Sequence, residues 1–149
     1  MTKKVSFPSS SINTKKPTIK LLNSHTQGIS VYADKGRISQ VVYNLLDNAV
    51  KFSKAAEDNV IVMIRKEGGG GGQGNNNQWV TVSVKDAGTG IDSEILPRFF
   101  IKFATKSETW GTGLGLFICK GIIEAHGGRI WAENNEDGEK GADFTSFYY

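Results

Sequence analysis

At 149 residues, 38% hydrophobic and 22% charged, the chain has the makeup of one globular domain large enough to bury a core. Its net charge of +3 comes from lysines scattered among acids, unlike a nucleic-acid binder, and no apolar run nears the roughly 20 residues of a membrane helix. The lone Cys119 excludes an internal disulfide, and the polar, Ser-rich Met1–Thr14 lacks the apolar centre of a secretory signal, so the expected compartment is the cytoplasm.

Residues 1–16 read as a leader or linker, with one domain over 17–149. Thr18–Asn23 and Ile29–Ala33 are short, partly alternating runs, which predicts two strands joined by a turn over Ser24–Gly28. Asp34 is a natural N-cap for a long helix reaching about Ser53. Ile38, Val41, Val42, Leu45, Leu46, Ala49 and Val50 fall at helical spacing and give it one broad apolar face. Asn59–Glu67 and Trp79–Lys85 read as strands. In the second, Val80, Val82 and Val84 share one face while Thr81, Ser83 and Lys85 share the other. The glycine/asparagine tract 68–78 between them has nothing to bury and reads as a flexible hairpin loop. Ser93–Ile101 reads as helix interrupted by Pro97, and Thr105–Gly111 as a polar, mobile stretch. A helix follows from about Gly113 to Ala125, ended by Gly127-Gly128, before Arg129–Asn134 and Asp143–Tyr148 close the chain as a hairpin. This mixed order of strands and helices predicts an α/β two-layer sandwich.

Asn44, Asn48 and Lys51 sit at i, i+4 and i+7 on the long helix, in a stripe of roughly 60° beside its apolar face. Asparagine carbonyl oxygens are hard ligands suited to Mg²⁺, and a lysine meets phosphate as a point charge. Taken alone, the stripe reads more simply as a solvated polar flank. Asp86 ends an alternating strand and opens the string Asp86-Ala87-Gly88-Thr89-Gly90. A carboxylate there suits an amino group such as that of adenine, although Asp-x-Gly is also an ordinary turn. Gly111-Thr112-Gly113-Leu114-Gly115-Leu116 leads into an apolar helix, where backbone N–H groups and the helix N-terminus favour an anion. A flexible entry to a buried helix explains that string equally well. It is not the dinucleotide fingerprint, since no strand leads into it, and the chain has no phosphate-loop string. Phe99, Phe100 and Phe103 read as core or lid anchors, Trp110 as a lid flank or a surface aromatic, and Cys119 as a buried inert thiol. His25 and His126 read as turn and helix-end residues without catalytic roles, and no Ser-His-Asp or metal-type Cys/His spacing occurs.

Taken in order, these strings resemble the ATP-binding catalytic domain of sensor histidine kinases, within the GHKL ATPase superfamily. Gln40–Phe52 resembles the family's asparagine box, Asp86–Ile91 its first glycine box and Pro97–Phe103 its phenylalanine box. Gly111–Leu116, followed by Ala125–Ile130, resembles the second glycine box and the helix-strand after it. The match runs from about Lys16 to Phe147. The resemblance implies a mixed sheet covered on one face by about three helices, with ATP and Mg²⁺ as cofactors. It assigns Asp86 to the adenine amino group, with Gly88, Gly90 and Ile91 around it. It places Asn48, with Asn44, on Mg²⁺ and Lys51 opposite the phosphates. Gly111, Thr112, Gly113 and Gly115 would line the phosphates, Phe52, Lys106, Leu114 and Leu116 would complete the nucleotide set, and Phe103 to Thr112 would form a lid.

In gyrase-like hydrolases of this superfamily a glutamate four residues before the metal asparagine activates water. Here that position is Asn44, which cannot act as a general base, so slow hydrolysis is expected. The resemblance implies transfer of the γ-phosphoryl group to a histidine in a helical dimerisation domain, in a context like H-E-x-x-T-P. Neither His25 nor His126 has that context. The implied partners are therefore that phosphoacceptor domain and a downstream response regulator, with the isolated domain monomeric. Departures from the pattern are Ile101 where an acid is frequent, a short lid carrying Trp110, the 68–78 insertion, and a Tyr148-Tyr149 end. Three other readings stay open: a serine-directed kinase of the superfamily, a nucleotide-binding regulatory module, and a gyrase- or chaperone-like ATPase.

Overall fold

The computed structural model describes residues 17–23, 28–53, 59–68, 78–103, 113–136 and 141–148. Its elements are β1 (Thr18–Asn23), α1 (Lys35–Phe52), β2 (Asn59–Glu67), β3 (Trp79–Lys85), a 3-10 turn (Leu96–Arg98), α2 (Gly115–Ala125), β4 (Arg129–Asn134) and β5 (Ala142–Tyr148). The strands form one mixed sheet in the order β1-β2-β3-β5-β4. β1 runs parallel to β2, and the other neighbours are antiparallel. A parallel pair needs a crossover, and α1 supplies it.

Period-two burial explains how the two layers join. Val60, Val62 and Ile64 of β2 and Val80, Val82 and Val84 of β3 are buried toward the helices. They meet Ile38, Val41, Leu45 and Ala49 of α1, spaced at helical intervals, and Cys119, Ile122 and Ile123 of α2. Phe144 of β5, 1% exposed, lies in this core with its ring 5.5 Å from that of Phe99. Phe99 in turn meets Phe100 edge-on at 5.9 Å, so the segment around the 3-10 turn is stapled to the sheet by aromatic packing. On the face away from the helices Ser83 is buried as well, its hydroxyl donating to Asp143 Oδ1 at 2.6 Å.

Helix ends follow local chemistry. Asp34 caps α1 by accepting the Arg37 N–H at 3.0 Å, a bond that holds its carboxyl below the usual carboxylate range. At the end of α2 Gly127 takes φ +74°, its N–H bonds to the Glu124 carbonyl, and the Gly128 N–H bonds to that of Ile123. This is the Schellman pattern, and it satisfies carbonyls the helix leaves open. His126 ties the two helices: its Nδ1 faces the Ile122 carbonyl at 2.7 Å and its Nε2 accepts the Asp34 N–H at 3.2 Å. A residue that reads as bland in the sequence is thus a clasp between the cap of α1 and the last turn of α2.

Several sequence expectations need correction. Ile29–Ala33 is not a strand. Its alternation is real, since Ile29 and Val31 pack against the core and Ala33 is buried, but the segment has no ladder partner and runs directly into α1. Pro97 does not break a longer helix; it sits in the first turn of the short 3-10 segment, where a missing N–H costs nothing. α2 begins at Gly115 rather than Gly113, because Gly113 takes φ +65° and cannot belong to it. The sheet and its helices form the expected α/β sandwich; where about three helices were expected, the described residues form two α-helices and the 3-10 turn. The stretch 105–111, Trp110, His25 and nearly all of the 68–78 tract lie outside the described residues.

Truncating Phe144 removes both core volume and the partner of Phe99. Phe144→Ala is expected to cost about 3–5 kcal/mol, read as a fall in the urea midpoint.

Candidate functional site

β3 ends at Lys85, and Asp86 leaves the sheet with 3% exposure. A buried carboxylate needs donors. Its Oδ1 accepts the Gly88 N–H at 2.8 Å and the Ala142 N–H at 3.2 Å. Its backbone N–H donates to the Ala142 carbonyl at 2.9 Å, and its carbonyl accepts from Asn135 Nδ2 at 3.0 Å. The start of β5 and the end of β4 therefore hold this residue from outside its own turn.

The glycines mark where main chains close on each other. A Cβ on Gly88 would lie 2.5 Å from the Phe52 carbonyl oxygen, so the first glycine string rests on the last turn of α1. A Cβ on Gly141, at φ +114°, would lie 2.0 Å from the Asp86 carbonyl oxygen. Gly90 takes φ +78° with the side chain of Asn134 alongside. That asparagine accepts the Ile91 N–H on Oδ1 at 2.6 Å and donates from Nδ2 to the Ile91 carbonyl at 2.9 Å.

The stripe on α1 reaches the second glycine string. Asn44 Nδ2 faces the Gly115 carbonyl at 3.5 Å and Cys119 Sγ at 3.6 Å. Burial pushes the Cys119 thiol up to about 11, with the Asn44 bond opposing, so it stays protonated at neutral pH. Asn48 is half-buried. Lys51, half-exposed, forms an ion pair with Asp47 one turn back. The Gly113 carbonyl accepts the Phe103 N–H at 3.3 Å, so the ends of the span 104–112 are tied together. Phe103 itself is 62% exposed with φ +62°, a conformation rare for a bulky residue. It anchors the flank of that span instead of joining the core. Leu114 caps α2, Leu116 packs against the core, and Ile91 packs there too.

α1 thus touches both glycine strings, at Gly88 through Phe52 and at Gly115 through Asn44. Lys106, Gly111 and Thr112 lie outside the described residues. Sequence reasoning missed Asn134, Asn135 and Gly141, whose neighbours Ile91 and Asp86 lie at least 43 residues away. Locally the Asn-Asn pair and the glycine look like an ordinary hairpin. A groove of about 230 Å³ on the far face of the sheet, with Trp79, Ser83 and Trp131 in its lining, is lined by none of these residues. Among the described residues no group of three His, Cys, Asp or Glu could hold a metal. The amide oxygens of Asn44 and Asn48 instead suit a hard cation that brings its other oxygen ligands with it.

Two glycine substitutions separate packing from propensity. Gly141→Ala is expected to lose about 2–4 kcal/mol, from steric overlap and a strained φ. Gly121→Ala, in α2 with nothing within 4 Å of its Cβ, is expected to gain up to about 1 kcal/mol. Urea unfolding of both variants checks the pair.

Comparison with known proteins places this geometry. Residues 33–148 match the family described as histidine kinase-, DNA gyrase B-, and HSP90-like ATPase. The adaptive-response sensory kinase SasA of Prochlorococcus marinus (strain SARG) is 41% identical over 106 residues, 68% of this chain and 26% of that protein. Its counterpart in Synechococcus sp. (strain CC9902) is 40% identical over 119 residues, 77% of this chain and 28% of that protein. The chain therefore spans about a quarter of the length of these kinases. Among solved structures, the catalytic domain of histidine kinase ThkA superposes with TM-score 0.68 at 33% identity, over 87% of this chain and 76% of that one. The mycobacterial sensor histidine kinase MprB gives TM-score 0.71 at 23% identity, over 87% of this chain and 79% of that one, a likeness of fold. Full-length ShkA, solved in complex with AMPPNP, gives 0.68 at 29% identity, over 87% of this chain and 25% of that one. The chain belongs to the histidine kinase-, DNA gyrase B- and HSP90-like ATPase family, as an ATP-binding catalytic domain of the sensor histidine kinase type.

Proposed function

We propose that this domain binds Mg-ATP and donates the γ-phosphoryl group to a histidine on a helical phosphoacceptor domain in two-component signalling. The observation that carries this reading is the contact of α1 with both glycine strings, which sets Asp86, the Asn44–Asn48–Lys51 stripe and the start of α2 around one helix. Asp86 would accept the adenine amino group, with Gly88, Gly90 and Ile91 forming the wall. Asn48 and Asn44 would hold Mg²⁺ through their amide oxygens. Held there, Mg²⁺ would supply the positive charge that offsets the charge on the phosphates. Lys51, released from Asp47, would meet a phosphate, and Gly113 and Gly115 would offer backbone N–H groups at the mouth of α2. Lys106, Gly111 and Thr112 belong to the same nucleotide set in this reading.

Transfer forms a nitrogen–phosphorus bond to the acceptor imidazole as the bond from Pγ to its bridging oxygen breaks, and ADP leaves with that electron pair. The ring gives up its displaced proton to base or solvent. This chain's share is positioning and charge neutralisation. Asn44, an amide whose nitrogen faces Gly115 and Cys119, offers no group to take a proton from water. Hydrolysis by the domain alone should be slow. Two surroundings complete the proposal: domain bounds at 17–149, and a cytoplasmic setting beside a response regulator. Among the described residues no helix is long and apolar enough to cross a membrane.

Calorimetry with Mg-ATP and Mg-ITP, which replaces the amino group by a carbonyl, tests the base assignment. A charge-assisted hydrogen bond contributes about 1.5–3 kcal/mol, so ATP should bind roughly 10- to 150-fold more tightly than ITP. Asp86→Asn should erase most of that preference. Equal binding of the two nucleotides by the wild type would overturn the Asp86 role. Labelled ATP with a separate helical phosphoacceptor domain should then place acid-labile phosphate on histidine. Brisk ATP turnover without an acceptor would favour a gyrase-like ATPase instead.

A further inference from the structure

We propose that Asn134 is a specificity-determining positioning residue, whose carboxamide grips the main chain of Ile91 and thereby fixes the loop that reads the base. The inference rests on the Mg-ATP reading above. Asn134 ends β4, paired with Ala142 of β5. Its side chain makes two bonds to one residue, accepting the Ile91 N–H at 2.6 Å and donating to the Ile91 carbonyl at 2.9 Å. A neighbouring strand would make the same pair of bonds, but here a single amide makes them. Gly90 is part of the grip: a Cβ there would lie 2.9 Å from Asn134 Oδ1, and its φ of +78° suits glycine.

The other end of the loop is held by the same hairpin. Ala142 exchanges two bonds with Asp86, and Asn135 Nδ2 donates to the Asp86 carbonyl at 3.0 Å. Loop 86–91 is therefore clamped at both ends by Asn134, Asn135 and Ala142, while Gly88 rests on the Phe52 carbonyl in between. Conformationally free glycines would leave such a loop with many shapes. Two fixed ends leave it few. Discrimination of an amino group from a carbonyl depends on the position of one carboxylate, and a displacement of about 0.5 Å degrades such a constellation. Asn134 lies on the exposed rim of the hairpin, so its removal frees the Ile91 end without opening the core.

Mg-ATP and Mg-ITP titrations of wild type, Asn134→Ala and Asn134→Asp test this, with urea midpoints taken alongside. Asn134→Asp keeps the shape but sets an oxygen against the Ile91 carbonyl, so it should behave like the alanine variant. Two modest hydrogen bonds are at stake, so the ATP-over-ITP preference should shrink about tenfold in both variants, chiefly through weaker ATP binding. Amide exchange of Ile91 should speed up in parallel. If wild type prefers ATP and Asn134→Ala keeps that preference, the clamp inference is overturned while the Mg-ATP reading stands. An Asp variant equal to wild type would also overturn it, since the paired bonds would then be dispensable. Wild type that binds ATP without preference over ITP removes the Asp86 role and the inference with it. Wild type that binds neither nucleotide removes the Mg-ATP reading itself. Unchanged Ile91 exchange in both variants overturns the clamp independently of any ligand.

Discussion

A carboxylate withdrawn from water has to be met by hydrogen-bond donors, and Asp86 organises its surroundings around that requirement. Its donors come from its own turn, through Gly88, and from the start of β5, through Ala142. For the first, the turn must close tightly and lie against the end of α1, which leaves no room for a side chain on Gly88. For the second, the β4–β5 connection must pass so close to the Asp86 carbonyl that Gly141 cannot carry one either. The order β3-β5-β4, with β5 inserted between β3 and β4, brings that connection to the end of β3. Sheet topology and the pairing of one buried charge are thus parts of the same solution.

α1 performs three tasks that no other element combines. It completes the parallel crossover from β1 to β2, buries Val41, Leu45 and Ala49 over the sheet, and touches both glycine strings. The asparagine stripe follows from this arrangement: it occupies the border of the buried face, so the Asn44 amide lies next to the entry of α2 and Asn48 is half-buried. His126 adds a tie at the opposite end of the helix pair, from the last turn of α2 to the cap of α1. α2 is consequently fixed to α1 near both of its own ends, through Asn44, midway along α1, at one and His126 at the other.

What is legible in the sequence is local. Asp34 and Ser53 bound α1 because cap chemistry and helical spacing are written within a few residues. β2 and β3 run over the spans read from the sequence, Asn59–Glu67 and Trp79–Lys85. Ile29–Ala33 carries the same alternation, yet a strand exists only with a ladder partner, and none lies beside it. Gly88 and Gly90 read as an ordinary turn or as a wall beside a base; that a Cβ at either would meet the Phe52 carbonyl or the Asn134 side chain emerges only from the fold. Asn134, Asn135 and Gly141 escape a sequence reading because their partners are fixed by the fold of the last hairpin onto a distant turn. The order of the strings carries the family resemblance, whereas the residues that hold those strings in place emerge from tertiary structure.

Cys119 is the chain's one cysteine, fully enclosed between the helices and kept as a neutral thiol by burial. Alkylating reagents need a thiolate they can reach, and this sulfur offers neither. The wild-type sequence is therefore already a nearly silent background for thiol chemistry. A single cysteine introduced on the rim of either glycine string would take up a fluorescent or spin label almost alone. The two strings can thus be watched separately as they respond to a nucleotide, without first engineering the native thiol out of the packing between α1 and α2.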